Sequence, residues 1–433
     1  MRVKPLALSL GLMALALFLI LIVLLSQFPG ERVITSSSIP LTRTNSAQTG
    51  STTRSMQNMS RKEINATFFT WKKKILDCKT LLVSDGKFII FLELVTPTKV
   101  NKTLILSTLD HSLHVENLTL VPWESPKRIK PVHRGFLLVG PSQLVLIDRN
   151  GNSVWNLAGN FTDAVEIDGW IYALEFVDSR LYLARVDIKG KIHERNFVAE
   201  MSRDAMEKLK YLYKGSPPIL LTDGHYLYAF WYDLRKGGAL GNVDASRNAN
   251  ESGVIEMAKF YSNGSLEYTK GLINRSVGRG ISAITLDDKI VLSVWSFNCS
   301  LVFADKDGKV IARIKNPVYA GLPTSFGCLG GLRSFSGRLY HFGWYSMVGF
   351  LDLLREDSLV EETFLNMQEN NAVGDIYMWN ETLYVCGLVQ GPQVNGAFVA
   401  KIDPDLREDL NSILSEALKQ GSVIKVDKVL GRG

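Results

Sequence analysis

Apolar residues in this chain fall into two patterns. One is a single unbroken run near the start; the other is a long series of short runs separated by Gly, Asp and Asn. Residues 6 to 25 carry no charge, and fourteen of the twenty are Leu, Ile, Val or Phe. At about 1.5 Å per residue they make about 30 Å of helix, the thickness of a bilayer's hydrocarbon core. Arg2 and Lys4 precede the run, while Glu31 and Arg32 after it cancel. The excess of positive charge predicts that residues 1–5 stay in the cytoplasm and that the rest of the chain is outside. A cleaved signal peptide is the alternative, but its apolar region is shorter and ends in a small-x-small site. Here the exit reads Leu24-Leu25-Ser26-Gln27-Phe28-Pro29. The expectation is therefore a single-pass signal anchor over 6–25.

Residues 26–67 follow as a predicted stalk. Between 35 and 60, thirteen of twenty-six positions are Ser or Thr. Such a segment buries too little surface to offset the entropy of ordering and reads as an extended tether. From about 70 to 405 the short runs are rich in Val, Ile, Leu, Tyr, Phe and Trp, which predicts strands and tight turns in a domain spanning 68–433.

The strands repeat. Turn-plus-apolar-strand units begin at Asp85-Gly86, Arg134-Gly135, Asp168-Gly169, Asp223-Gly224, Asp287-Asp288, Ser336-Gly337 and Asn380-Glu381. A second strand often ends in an Asp-x-x-Gly turn, as at Asp148–Gly151, Asp187–Gly190 and Asp305–Gly308. Seven residues past the marker stand Phe176, Trp231, Trp295 and Trp344, an aromatic at one fixed place in successive units. That is what packing between repeated sheets requires. The fold class is all-β, and the seven units resemble a seven-bladed β-propeller. Six blades is the alternative, because the second unit (about 123 to 165) is short. Asp148-Arg-Asn-Gly-Asn-Ser-Val-Trp155 is similar to the Asp-x-x-Gly-x-x-x-Trp element of quinoprotein-like (PQQ-like) propeller repeats. The other units lack the terminal Trp, so the resemblance implies a fold and no quinone cofactor.

After residue 403 the pattern changes. Asp403-Pro404-Asp405 reads as the cap of an amphipathic helix through Leu406, Leu410, Ile413, Leu414 and Leu418, stopped by Gly421. Residues 422–429 read as a last strand. An open sheet edge invites aggregation, so the tail, or residues near 68 to 83, is expected to close the ring. Closure would make neighbours of Cys78 and Cys386, and likewise of Cys299 and Cys328. Four buried free thiols are the alternative.

Ten Asn-x-Ser/Thr sequons are glycosylation candidates: Asn58, Asn65, Asn101, Asn117, Asn160, Asn250, Asn263, Asn274, Asn298 and Asn380. The net charge of +6 is small for 433 residues and scattered, which argues against nucleic acid as a partner. The densest basic stretch, residues 127–134, reads as a solvated loop, with contact to lipid headgroups or an acidic glycan as the second reading.

No catalytic motif stands out. His111 and His114 are a lone pair, read as surface rather than metal ligands, and Asp163, Glu166, Asp168 and Glu175 cluster in sequence only. The fourth unit carries an insertion, about Arg235 to Gly253, after the aromatic strand Tyr226–Tyr232. Insertions in repeat proteins tend to lie on a binding face, which makes Trp231, Tyr232, Arg235 and Lys236 candidate ligand contacts. No cofactor and no metal are implied, and nothing sets an oligomeric state. The expectation is a membrane-anchored extracellular binding or adhesion module for an envelope protein or glycan. An extracellular polysaccharide hydrolase or lyase and a structural envelope component are the alternatives.

Overall fold

The computed structural model describes residues 65–430, apart from 73, 85, 96–102, 125–127, 202–217, 234–252, 277–279, 296–299, 316–327, 346–347, 356–357, 366–369 and 393. The expected anchor, the stalk as far as residue 64, residues 235–252 of the insertion and Cys299 lie outside these residues. Ala66 and Thr67, expected in the stalk, belong instead to a strand, because their backbone pairs with Ala400 and Val399.

Seven sheets follow one another along the chain, six of them four-stranded and antiparallel and the last five-stranded. Their first strands are Ile75–Ser84, Arg128–Val132, Asn160–Ile167, Ile219–Thr222, Gly280–Leu286, Cys328–Phe335 and Asn370–Trp379. Each contacts the first strand of its neighbours, and the series closes from the seventh back to the first. This is a seven-bladed β-propeller, with the short second unit a full blade. Each sheet buries both faces against the adjoining blades, so its middle strands are nearly continuous apolar runs such as Phe136-Leu137-Leu138-Val139.

The repeated turns occupy one structural place, the hairpin between the first and second strands of a blade. The sequence unit is thus one strand out of phase with the blade. The reason is physical: the first strand lines the axis and varies in polarity, so the constant apolar signal begins at the buried second strand. The Asp-x-x-Gly turns join third and fourth strands, and their glycines approach the preceding blade closely. Gly190 has φ +82°, and a Cβ there would come 2.8 Å from the Trp155 ring. Trp155 completes the contact by donating its Nε1–H to Ile188 O at 3.1 Å.

Ring closure uses both ends of the domain. Ala66–Thr70 is the outer strand of blade 7, antiparallel to Asn395–Ile402 with Phe68 opposite Phe398. Val423–Lys425 then adds in parallel to Ala66–Thr70. The disulfide Cys78–Cys386 joins the first strand of blade 1 to the second strand of blade 7, with Cα atoms 6.0 Å apart. The tail differs from expectation in two details. Helix α1 spans Leu410–Lys419 and is capped by Asp409, which accepts from the Asn411 and Ser412 amides. The earlier Asp403-Pro404-Asp405 forms a turn, with Leu406 buried at φ +56°. The last strand stops at Lys425, and Val426–Val429 is a short helix, α2, whose Val426 packs into the blade 1/blade 7 core.

Candidate functional site

The first strands surround an axial cavity of about 310 Å³. Its wall divides by blade. Blades 4 and 5 contribute Ile219, Leu221, Ala283 and Ile284, whereas Lys79, Arg128, Lys130, Asp163, Arg333 and Asp375 charge the remainder.

Local backbone geometry positions the two carboxylates. A β-bulge falls just before Asp163 in blade 3 and just before Asp375 in blade 7. Bulges re-aim side chains, and both are turned to the same use. Each Asp accepts from the next amide of its own strand, Ala164 N and Ile376 N, both at 2.9 Å. Each also accepts from an amide in the first strand of the following blade, Leu220 N at 2.9 Å and Leu81 N at 3.1 Å. Each faces a cation from the preceding blade. Lys130 Nζ lies 3.2 Å and Arg128 Nε 3.6 Å from Asp163, and Arg333 forks onto Asp375 at 2.9 and 2.7 Å. Thr80 Oγ1 donates to Asp375 as well, at 2.6 Å. A carboxylate with this many donors ties three blades together.

The cations are less evenly matched. Lys79 meets the buried Glu93 at 2.5 Å and Asp77 at 3.7 Å. Burial pulls its pKa down, but the two carboxylates outweigh that and leave it raised. The Asp375 carboxylate raises Arg333. Lys130 is held below the ordinary lysine range by burial, with Arg128 and Arg333 adding repulsion and only Asp163 opposing. Arg128 and Lys130 thus share one carboxylate, and Arg128 Nε is buried without a hydrogen-bond partner among the described residues.

A second polar group sits in the core between blades 5 and 6. Ser293 Oγ lies 2.9 Å from His341 Nε2, and His341 Nδ1 lies 3.3 Å from Asp352 Oδ2. The order is that of a hydrolase triad, but Ser293 and His341 are 0% exposed and Asp352 is 2%. Gly330 covers it so tightly that a Cβ there would come within 2.4 Å of His341 Nε2. Burial lowers the imidazole to about 3, so it is neutral and unsuited to take a proton. Glu362 is pushed up to about 8 by burial and by Asp352 beside it. We read the group as an internal polar clasp.

The residues singled out from sequence are dispersed. Trp231 is 4% exposed, packed between blades 3 and 4, and Tyr232 is half-buried against the blade 4/blade 5 core. Phe176 also joins the blade 3/blade 4 core. Arg235 and Lys236 lie outside the described residues. Glu166 accepts from His133 N at 2.6 Å, Asp168 is in an exposed turn, and Glu175 is buried against Arg195. His111 stacks on Trp379 at 3.6 Å, while His114 lies 3.3 Å from Asp110. Among the described residues no three His, Cys, Asp or Glu side chains are grouped to hold a metal. Of the sequons, Asn65, Asn117, Asn263 and Asn380 are exposed and Asn160 is half-buried. Asn274 lies on the outer strand of blade 4, and Asn58, Asn101, Asn250 and Asn298 lie outside the described residues. The basic stretch 127–134 is not a solvated loop. Its residues Arg128–Val132 are the first strand of blade 2, and Arg128 and Lys130 line the axis.

The sequence marks Asp163 only among neighbouring carboxylates and Arg128 and Lys130 only in a basic stretch, and misses Thr80, Arg333 and Asp375. Thr80, Asp163 and Asp375 stand six residues before the turn positions 86, 169 and 381. Reading six back from the markers, as well as seven forward, finds them.

No family model and no curated protein matches the chain. Among solved structures it is similar to the WD40 β-propeller domain of Doa1, at 11% identity and a TM-score of 0.46, over 78% of this chain and 97% of that one. It is also similar to BBS1N, solved in complex with ARL6DN, at 13% identity and a TM-score of 0.46, over 74% and 88% of the two chains. A protein of unknown function from Bacteroides caccae matches at 12% identity and a TM-score of 0.38, over 62% and 90%. The blade count rests on the sheet topology, independently of these likenesses.

Proposed function

We propose that this chain is a membrane-anchored, glycosylated extracellular propeller that serves as a binding module for a macromolecule or glycan of the cell envelope. The observation that carries the binding role is the axial cavity, charged on one side and apolar on the other. Small-molecule sites take this form, an apolar wall with a few placed polar groups. Three features support the location. The uncharged run at 6–25 is long enough to span a bilayer. The Cys78–Cys386 bond is of a kind that persists in oxidising compartments. The sequons at Asn65, Asn117, Asn263 and Asn380 are open to a glycan.

The hydrolase alternative needs a free acid, and both channel carboxylates are occupied as inter-blade ties. The test is a binding screen of the full-length chain in detergent against envelope glycans and envelope proteins, read beside a hydrolysis assay on the same panel. Saturable binding without turnover supports the proposal. Turnover of a bound glycan would make the protein an enzyme, and no binding across the panel would contradict it.

A further inference from the structure

The geometry points to a site for a small organic anion on the propeller axis. Its ligand is of monosaccharide size, with one oxyanion held by Arg128, Lys130 and Arg333 and an apolar face against Ile219, Leu221 and Ile284. This deepens the binding reading above and rests on it.

The charge count comes first. Lys79 has Glu93 and Asp77 and Arg333 has Asp375, but Arg128 and Lys130 divide Asp163 between them. Asp77 evens the total, yet positive charge stays locally ahead on the blade 2 side. An oxyanion is the group that balances it, and a guanidinium fork matches the geometry of a carboxylate or a phosphate.

Hydrogen bonding gives the same answer. Arg128 Nε is buried and stands 3.6 Å from the nearest Asp163 oxygen, beyond hydrogen-bond reach. Buried donors are ordinarily satisfied, and none of the described residues satisfies this one. The Arg128 side chain as a whole keeps 22% exposure and lines the cavity, where an anion would meet it. Burial lowers the Lys130 pKa, and Arg128 and Arg333 add a repulsion that an anion between the three would relieve.

Size and polarity set the rest of the ligand. At about 310 Å³ the cavity lies at the small end of ligand sites, which run from about 300 to 1,000 Å³. A bare inorganic ion would leave the apolar wall of blades 4 and 5 unused. A sugar acid or a sugar phosphate fits both walls, and the oxyanion is common to them.

The experiment is isothermal titration of the full-length chain in neutral detergent with sodium glucuronate, glucose 6-phosphate, inorganic phosphate and glucose. At least one organic anion is expected to bind about tenfold or more tightly than glucose, as loss of a charge-assisted hydrogen bond implies. Phosphate is expected to bind more weakly than that anion. Preference for glucuronate assigns a carboxylate, preference for glucose 6-phosphate a phosphoryl group, and either supports the site. Arg128→Gln is expected to weaken the bound anion about tenfold, and Lys130→Gln similarly, while the surface change Lys189→Gln leaves it unaltered. Thermal unfolding of each variant checks that it is folded. If no organic anion binds the folded wild type better than glucose, or if Arg128→Gln and Lys130→Gln both bind like wild type, the site is wrong. In that event a macromolecule from the panel that still binds all variants equally would leave the binding-module reading standing. Loss of both would remove both.

Discussion

Asp163 and Asp375 are the same residue in two blades. Each follows a bulge, takes the next amide of its own strand, takes an amide from the blade ahead, and faces a cation from the blade behind. The pair explains how an axis lined by opposed charges holds together, since each carboxylate ties three successive blades.

Asp375→Asn is therefore expected to destabilise the propeller. The change strands Arg333, and removing one partner of a fully buried pair costs about 3 to 5 kcal/mol. Arg333 keeps 37% side-chain exposure, so water offsets part of that, and about 2 kcal/mol is expected. Urea unfolding of the two proteins measures it, and superimposable curves would show that the tie is not structural.

The Cys78–Cys386 bond spans a sequence separation of 308. A cross-link over so long a loop constrains the unfolded chain strongly, and its loss costs about 2 to 5 kcal/mol. Cys78→Ser with Cys386→Ser is expected to lower the Tm by several degrees, and dithiothreitol to lower the wild-type Tm to meet it. Indifference of the wild type to reductant would argue against the bond.

Stability against pH reads the clasp between blades 5 and 6. Glu362 is raised from 4.5 to about 8. Its contribution is complete below pH 4.5 and is lost as the pH climbs towards 8, because the unfolded carboxyl ionises first. His341 is lowered to about 3. Below about pH 6.5 the unfolded imidazole takes a proton that the folded one refuses, so stability is lost as the pH falls from there towards 3. Glu362→Gln should flatten the decline on the alkaline side and His341→Gln that on the acid side. Tm measured across this range for the three proteins gives the comparison, and parallel curves would contradict the assignment.

The sequons provide a prediction about the surface. Asn117, Asn263 and Asn380 are exposed and far apart in sequence, each able to carry a glycan without disturbing the core. Mass spectrometry of tryptic peptides from the native protein is expected to find modified Asn at these positions. Unmodified peptides at all three would remove the glycoprotein reading.

How much of this was legible follows from what each strand buries. The second strands are apolar on both faces, so Phe88-Ile89-Ile90 and Tyr226-Leu227-Tyr228 announce themselves, and so do the turns before them. Blade number, ring closure and the Cys78–Cys386 pairing followed from those signals. The first strands vary in length and polarity, and Arg128-Ile-Lys-Pro-Val132 looks like a loop because its charges line the axial cavity. The cavity could not be read directly, since it is assembled from residues some 300 positions apart, such as Thr80 and Asp375. Trp231 shows the converse. Aromatic recurrence marked it, and the same recurrence is the signature of the core position it occupies.

The central claim is a propeller locked between its first and last blades, and non-reducing peptide mapping of the native protein tests it most directly. The account predicts a disulfide-linked peptide pair containing Cys78 and Cys386. Free thiols at both positions, or either cysteine joined to a different partner, would contradict it.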